Sequence, residues 1–261
     1  MKLDVVIAVK NQSEKLLKNL KNIGVPYFDS LGIDYDFLIV CNASTPEEQK
    51  CLWEGAKELP PQVHLLPYTP IPGKGHGIQL GLEAAKGDYV LFMDADFATD
   101  LSIMKQILPM LDQYDAFIAS RHMKGSVIIN PQSRLRRFIS WGSRRVIHMM
   151  FPFHGIHDTQ CGYKLFRTDI AHEMAKRQTI AGFAFDVEYL YFLKLNGYEV
   201  KEIPARWTDD PSSSLGHPLH TSWHFFLDLC RIRHQKKHYR LTEEERIALP
   251  SRRKEREKYA N

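Results

Sequence analysis

The chain is short of the features that would give it an easy assignment. It has four cysteines, Cys41, Cys51, Cys161 and Cys230, and no two form a CxxC pair. That argues against a zinc ribbon or a dithiol redox motif and fits a reducing compartment. No apolar run reaches the ~18 residues that cross a bilayer. The opening segment, Met1-Lys-Leu-Asp-Val-Val-Ile7, reads directly as a strand and lacks a signal-peptide layout, so a cytoplasmic location is expected. There is no internal repeat. Neither sign of charge dominates, with 35 Lys+Arg against 31 Asp+Glu, although the positive charge gathers late in the chain. Exposed stacking aromatics on a sheet, as RNA readers use, are not evident, so no nucleic-acid partner is expected.

What is present is an alternation of strands and helices. Leu3–Val9, Asp36–Cys41, Val63–Leu66, Tyr89–Met93 and Ala116–Ser120 are short apolar runs that read as buried strands. Between them, Ser13–Asn22, Pro46–Leu59, Pro72–Lys86 and Leu101–Leu111 read as helices, with Ser13 as an N-cap. Such alternation predicts an α/β fold, a mostly parallel sheet flanked by helices on both faces. The 261 residues suffice for one full core. The pattern loosens after Arg121, as a substrate-facing half would. From Arg240 the chain is charged and poor in large apolar residues, which suggests a solvated tail.

Two segments carry candidate chemistry. Asp94-Ala95-Asp96 follows a buried strand, which places two carboxylates at the rim where open α/β sheets bind ligands. Oxygen donors suit Mg²⁺ or Mn²⁺, ions that commonly share their shell with phosphates. The bare tripeptide alone reads rather as a helix-capping turn, and its context reverses that reading. Gly73-Lys74-Gly75-His76-Gly77 opens the preceding helix without the Gly-Lys-Ser/Thr ending of a P-loop. It reads either as a flexible loop or as an anion cradle, with Lys74 adding charge beside a diphosphate.

Together with Ala85-Lys-Gly-Asp-Tyr-Val-Leu-Phe-Met-Asp-Ala-Asp96, this arrangement resembles the nucleotide-sugar half of family 2 glycosyltransferases of GT-A (Rossmann-like) fold. Ala119-Ser-Arg-His122, Asp158-Thr-Gln-Cys-Gly-Tyr-Lys-Leu-Phe-Arg167, Phe183-Ala-Phe-Asp-Val-Glu188 and Trp207-Thr-Asp209 resemble the branch that glucosylates dolichyl phosphate and, less closely, the dolichol-phosphate mannose synthases. The resemblance implies one GT-A domain over 1–240. Its nucleotide-sugar half would be 1–120, its acceptor half 121–215 and an amphipathic membrane-proximal helix 216–240, with a charged tail at 241–261.

The resemblance also implies roles. Ala8, Asn11, Asn42, Lys74, Asp94 and Asp96 would bind the nucleotide sugar, and Asp96 with Asp94 the divalent cation. Arg121, Arg136 and Ser140 would hold an acceptor phosphate. Arg136 and Ser140 are four apart in a helix and so share a face, and Arg is the preferred fork for phosphate oxygens. Asp186 or Glu188 would be a general base if the acceptor were a hydroxyl. Asp96, Arg121, Arg136 and Asp186 are thus the candidate catalytic residues. Two segments depart from the family: Cys41-Asn42-Ala43-Ser44 stands where Asp-Asp-Gly-Ser is usual, and Ala8-Val9-Lys10-Asn11-Gln12 where Pro-Ala-Tyr-Asn-Glu is usual. His154 and His157 beside Asp158 lack zinc-site spacing and read as loop histidines.

Leu219–Gln235 combines Trp223, Phe225, Phe226, Leu227, Leu229 and Ile232 with following cations. It reads either as a core-packed helix with a basic end or as an interfacial helix on an anionic leaflet. A lipid acceptor favours the second, with the protein held on the inner face of the membrane. Pro211-Ser212-Ser213-Ser214 reads as a lid. The expected activity is inverting transfer of a sugar from a nucleotide diphosphate sugar, UDP-linked, to a polyprenyl phosphate. Transfer to a hydroxyl of a polysaccharide or lipid-linked glycan is the alternative, and a non-catalytic scaffold a third.

Overall fold

The computed structural model describes residues 1–130, 134–208 and 218–252, with the backbone alone at 134–136 and 218–221. Its strands are β1 Lys2–Val9, β2 Asp34–Cys41, β3 Val63–Leu65, β4 Tyr89–Met93, β5 Ala116–Ser120, β6 Val127–Ile129, β7 Tyr163–Arg167, β8 Val200–Pro204 and β9 Arg206–Thr208. Seven of them form one sheet in the order β3-β2-β1-β4-β7-β5-β8, and β6 pairs with β9 in a separate ribbon. All the pairings in the large sheet are parallel except those of β7, which runs antiparallel to both β4 and β5. β1, β2, β4 and β5 therefore end at one rim.

The strands form where apolar residues alternate between two buried faces. Leu3, Val5, Ile7 and Val9 of β1 join Leu91 and Met93 of β4 in one core layer, while Val6, Val90 and Phe92 point into the other. The first layer is covered by α1 Ser13–Asn19, α2 Val25–Asp29, α3 Pro46–Ala56 and α5 Met104–Ile107, through Leu16, Phe28, Leu52 and Met104 among others. The second is covered by α4 Lys74–Ala84, α7 Thr168–Arg177, α8 Phe185–Leu195 and α9 Pro218–His234. α6 Arg134–Met150 inserts Ile147 into the second layer, and α10 Glu243–Ala248 closes the described chain behind a Thr242–Glu245 capping box. Each fully buried Leu or Phe contributes about 1.5–3 kcal/mol.

Several local expectations are corrected. Ser13 does not cap α1: its hydroxyl donates to Glu48 O at 2.8 Å and its N–H to Glu48 Oε2 at 2.8 Å, tying α1 to α3. The first helix does not stop near Asn22. It passes through a π-turn at Leu20–Gly24 into α2, with Pro26 in the first turn, where a missing N–H costs nothing. The segment 101–111 is broken into two 3₁₀ turns flanking α5, the second containing Pro109. Residues 211–214 lie outside the described residues.

α4 rides unusually close to β1. A Cβ on Gly81 would lie 2.1 Å from Val6 Cγ1, and one on Gly77 would lie 2.7 Å from Ala8 Cβ. Gly81→Ala gains up to about 1 kcal/mol of helix propensity and meets overpacking worth about 1–3 kcal/mol against a β-branched neighbour. The expected outcome is a lower denaturant midpoint. A higher midpoint would mean that α4 can lift off β1 without penalty.

Candidate active site

β4 ends at Met93, so Asp94 and Asp96 stand on the rim, both half-buried. The Asp94 N–H donates to Gly162 O at 3.2 Å. Gly162 also presses on the Asp94 carboxylate: a Cβ there would lie 1.9 Å from Oδ2. The carboxylate pairs with the Lys74 ammonium at the start of α4. Lys74 is delivered by Gly73, whose φ of +123° is a glycine conformation and whose Cβ would lie 2.2 Å from Ala181 O. The His76 N–H donates to Ala181 O at 3.2 Å, so the glycine loop is clamped to the segment before α8. It is a built surface rather than a flexible loop.

Asp96 Oδ1 accepts the Ala98 N–H at 3.0 Å across Phe97, which has a left-handed φ of 55°. Beyond it, the Thr208 N–H donates to Ala98 O at 2.8 Å and the Asp100 N–H to Arg206 O at 2.9 Å, fastening this turn to β9. Burial first, and then the neighbouring Asp94 charge, raise the Asp96 carboxyl above the usual range.

A second ion pair lies behind the first. Lys164 on β7, fully buried, pairs with Asp186 in the first turn of α8, donates to Cys161 O at 2.7 Å and sits 5.2 Å from the Phe92 ring centroid. Burial raises the Asp186 carboxyl, while Lys164 and Lys74 pull it back. Charge thus alternates inward from the rim: Asp96 and Asp94, then Lys74, then Asp186, then Lys164. Lys15 also acts on Asp96 from outside this series. Hard oxygen donors of this kind fit a divalent cation that keeps water and phosphate oxygens in its shell. Asp96, with Asp94 beside it, is where such an ion would be held. Among the described residues no group of three or more His, Cys, Asp and Glu side chains suits a metal, so such an ion would depend on its ligand to complete the shell.

The remaining candidates are placed as follows. Asn42 is buried, and its amide donates to Gly73 O at 2.9 Å and Ile71 O at 3.5 Å, holding the glycine loop. Asn11, with φ of 51°, accepts the Thr45 N–H at 2.9 Å on Oδ1 and donates its N–H to Ser44 Oγ at 3.2 Å. Both stitch the ends of β1 and β2 together beside half-buried Ala8. Glu188 is buried and accepts from Thr179 N (2.7 Å), Thr179 Oγ1 (2.8 Å), Tyr239 Oη (2.7 Å) and Ile180 N (3.2 Å). These bonds commit it to joining α8 to the chain after α9. His157 Nδ1 lies 2.6 Å from Glu202 Oε2, and His157 belongs to the loop that Glu202 holds.

In the second half of the chain, Arg121 follows β5 and forks onto Asp158: Nε to Oδ2 at 2.7 Å and Nη2 to Oδ1 at 2.9 Å, with the Arg121 N–H on Oδ2 at 2.9 Å. The guanidinium also lies 5.3 Å from the Trp207 ring centroid. Ser140 is half-buried on α6, and the Arg136 side chain lies outside the described residues. Lys164, Gly162 and the partners Asp158 and Glu202 went unassigned from the sequence. The available signal was Lys164 inside the apolar run Tyr163–Arg167, a strand position where a lysine needs a buried counter-charge.

Burial would raise the Asp158 carboxyl, but Arg121 overcomes this and holds it well below the usual carboxylate range. A depressed folded value gives stability that is present above the unfolded value near 3.9 and lost as pH falls through the folded one. Asp158→Asn is expected to cost about 3–5 kcal/mol by stranding Arg121, read by urea unfolding at neutral pH. The gap from wild type should narrow on acidification below about pH 4.

The family model described as Glycosyl transferase family 2 matches residues 4–174. A dolichyl-phosphate beta-glucosyltransferase of Dictyostelium discoideum is 28% identical over 233 residues, covering 87% of this chain and 67% of that protein. Among solved structures, glucosyl-3-phosphoglycerate synthase from Mycobacterium tuberculosis in complex with UDP aligns with a TM-score of 0.64 at 13% identity, over 89% of this chain and 80% of that one. The same synthase with Mn²⁺, UDP and phosphoglyceric acid aligns with a TM-score of 0.59 at 15% identity, over 88% and 78%. At these identities the structures speak for the fold alone, and the expected GT-A arrangement, a mostly parallel sheet between helices, is the one found. Match, topology and carboxylate rim converge on one statement: the chain belongs to glycosyltransferase family 2.

Proposed function

We propose that this enzyme transfers a hexose from a UDP-linked donor to a dolichyl-type polyprenyl phosphate, with inversion at the anomeric carbon. The observation that carries the choice of acceptor is the commitment of both candidate bases. Asp186 is locked to buried Lys164, and Glu188 accepts from four donor atoms. A hydroxyl acceptor needs a base, because its pKa is high. A phosphate monoester, with a second pKa of about 6, is already ionised and needs only positioning. The name of the Dictyostelium relative supports the same acceptor.

In this reading Asp94 and Asp96 face the diphosphate side of the donor, together with the divalent cation of Mg²⁺ or Mn²⁺ type that Asp96 would hold. When bound, that ion would offset charge on the departing diphosphate. Lys74, fixed by Asp94 and by the clamp on the glycine loop, adds a positive charge there at no reorganisation cost. Asn42 and Asn11 shape the nucleotide end. Arg121, with Arg136 and Ser140 on α6, orients the acceptor phosphate for attack opposite the leaving group. The Asp158 fork keeps Arg121 in place between turnovers.

The acceptor is a lipid, and two helices offer a surface for it. α9 buries Leu229 and Ile232 in the core yet exposes Trp223, Phe226 and Leu227, with Trp223 stacked on Phe226 at 6.0 Å. α6 exposes Phe138 and Trp141, stacked at 6.1 Å, with the Arg145 guanidinium 5.5 Å from the Trp141 ring. Aromatics beside cations suit peripheral contact with an anionic leaflet on the cytoplasmic side. No described helix is long and apolar enough to cross a membrane.

Transfer from UDP-glucose to a prenyl phosphate and to glycan hydroxyls, each assayed with Mn²⁺ and with chelator, tests the proposal. Metal-dependent turnover is expected with the phosphate acceptor only, and transfer to hydroxyls alone would overturn it. Asp96→Ala is expected to lower transfer by about 100-fold or more. Gly162→Ala, which pushes the Asp94 carboxylate aside, should weaken UDP binding measured by calorimetry while the fold persists. Unchanged UDP affinity in that variant would remove Asp94 from the donor site.

A further inference from the structure

The acceptor side has a loose end. Arg121 is the cation nearest the end of β5, but two of its nitrogens, Nε and Nη2, are spent on Asp158. Asp158 is in turn saturated: Oδ2 accepts from the Arg121 Nε and main-chain N–H, and Oδ1 from Arg121 Nη2 and from the Gln160 N–H at 3.2 Å. A second guanidinium, Arg144 on α6, stands within the electrostatic field of both Arg121 and Asp158. Its Nε is buried and has no hydrogen-bond partner. Buried charged donors are normally satisfied, and one that is not calls for an explanation in a missing acceptor.

Helix geometry says where that acceptor would sit. Arg144 follows Ser140 by four residues and Arg136 by eight, so the three share one face of α6. Around His122 the two guanidiniums face Asp158 and Glu202, carboxylates already committed to Arg121 and to the His157 and Asp158 N–H groups. A phosphate, with about −1.5 to −2 charge and three acceptor oxygens, would supply both the charge and the acceptor that the Arg144 Nε lacks. An incoming hydroxyl would bring no charge.

We infer that Arg144 is a phosphate-binding residue of the acceptor site, supplying from the α6 side hydrogen bonds beyond those left on Arg121, whose Nε and Nη2 are engaged by Asp158. The inference rests on the phosphate-acceptor reading and adds to it. Arg121 fixes the floor of the site, and Arg144 closes on the phosphate from the helix. Substrate choice follows: acceptors without a phosphate leave the buried Arg144 Nε unmatched, which penalises them.

The test uses calorimetric titration of the whole chain with a ten-carbon prenyl phosphate, and separately with UDP and Mn²⁺. Arg144→Gln is expected to weaken prenyl-phosphate binding about tenfold or more while UDP–Mn²⁺ binding stays as in wild type. Arg144→Lys keeps the charge but lacks the fork, so it should bind with intermediate affinity, and it carries the decision if the Gln variant melts early. Lys50→Gln, which removes an exposed positive charge on α3, should change neither titration. Equal prenyl-phosphate affinity in wild type and both Arg144 variants overturns the inference while leaving the acceptor class standing. Wild type that binds UDP–Mn²⁺ but no prenyl phosphate overturns the acceptor class and this inference with it.

Discussion

The contact between Lys74 and Asp94 is what the rest of the site depends on. It joins the start of α4 to the residue that follows β4. An ion pair at a half-exposed rim is weak when isolated, because water and salt compete for both partners. Here it is backed by Asp186 and Lys164, which cannot relax because β7 and α8 bury them. Removing one member would leave a neighbour with an uncompensated charge. The four side chains therefore behave as a unit, and the geometry at the mouth is inherited from charge buried well below it.

β7 makes this unit possible. It is the strand that runs against the others, and it enters the sheet between β4 and β5. Gly162, just before it, stands against Asp94, and its second strand residue, Lys164, lies opposite Phe92 of β4. One short strand thus limits where the rim carboxylate can go and supplies the buried cation behind it. Its last residue, Arg167, pairs with buried Asp115 at the other end of the sheet.

The first half of the fold was readable because parallel strands buried on both faces must be apolar, and β1, β2, β4 and β5 are. β7 was harder. Tyr163-Lys-Leu-Phe-Arg167 carries two cations in a fully buried strand, and their counter-charges, Asp186 and Asp115, stand 22 and 52 residues away. Pattern reading has no access to such distant pairings. The same holds for Ser13, whose partner Glu48 lies 35 residues on. In the site, residue types announced Asp94, Asp96 and Lys74. The consequences of burial did not show: Glu188 as a tie between segments, and Arg121 fixed by Asp158 before any ligand arrives. α9 had two readings from its sequence, and the structure packs Leu229 and Ile232 into the core while leaving Trp223 and Phe226 exposed.

The far side of the sheet has its own order. The Lys2 N–H donates to Asp88 at 2.7 Å where β1 begins, and the Arg252 N–H donates to Asp115 at 2.8 Å where β5 begins. Both lie at the strand starts, on the underside of the molecule relative to Asp96. A handle fused to either flank of the described chain would pull on that floor. Protein immobilised in this way would present its mouth upward, clear of the support, with bulky ligands free to approach.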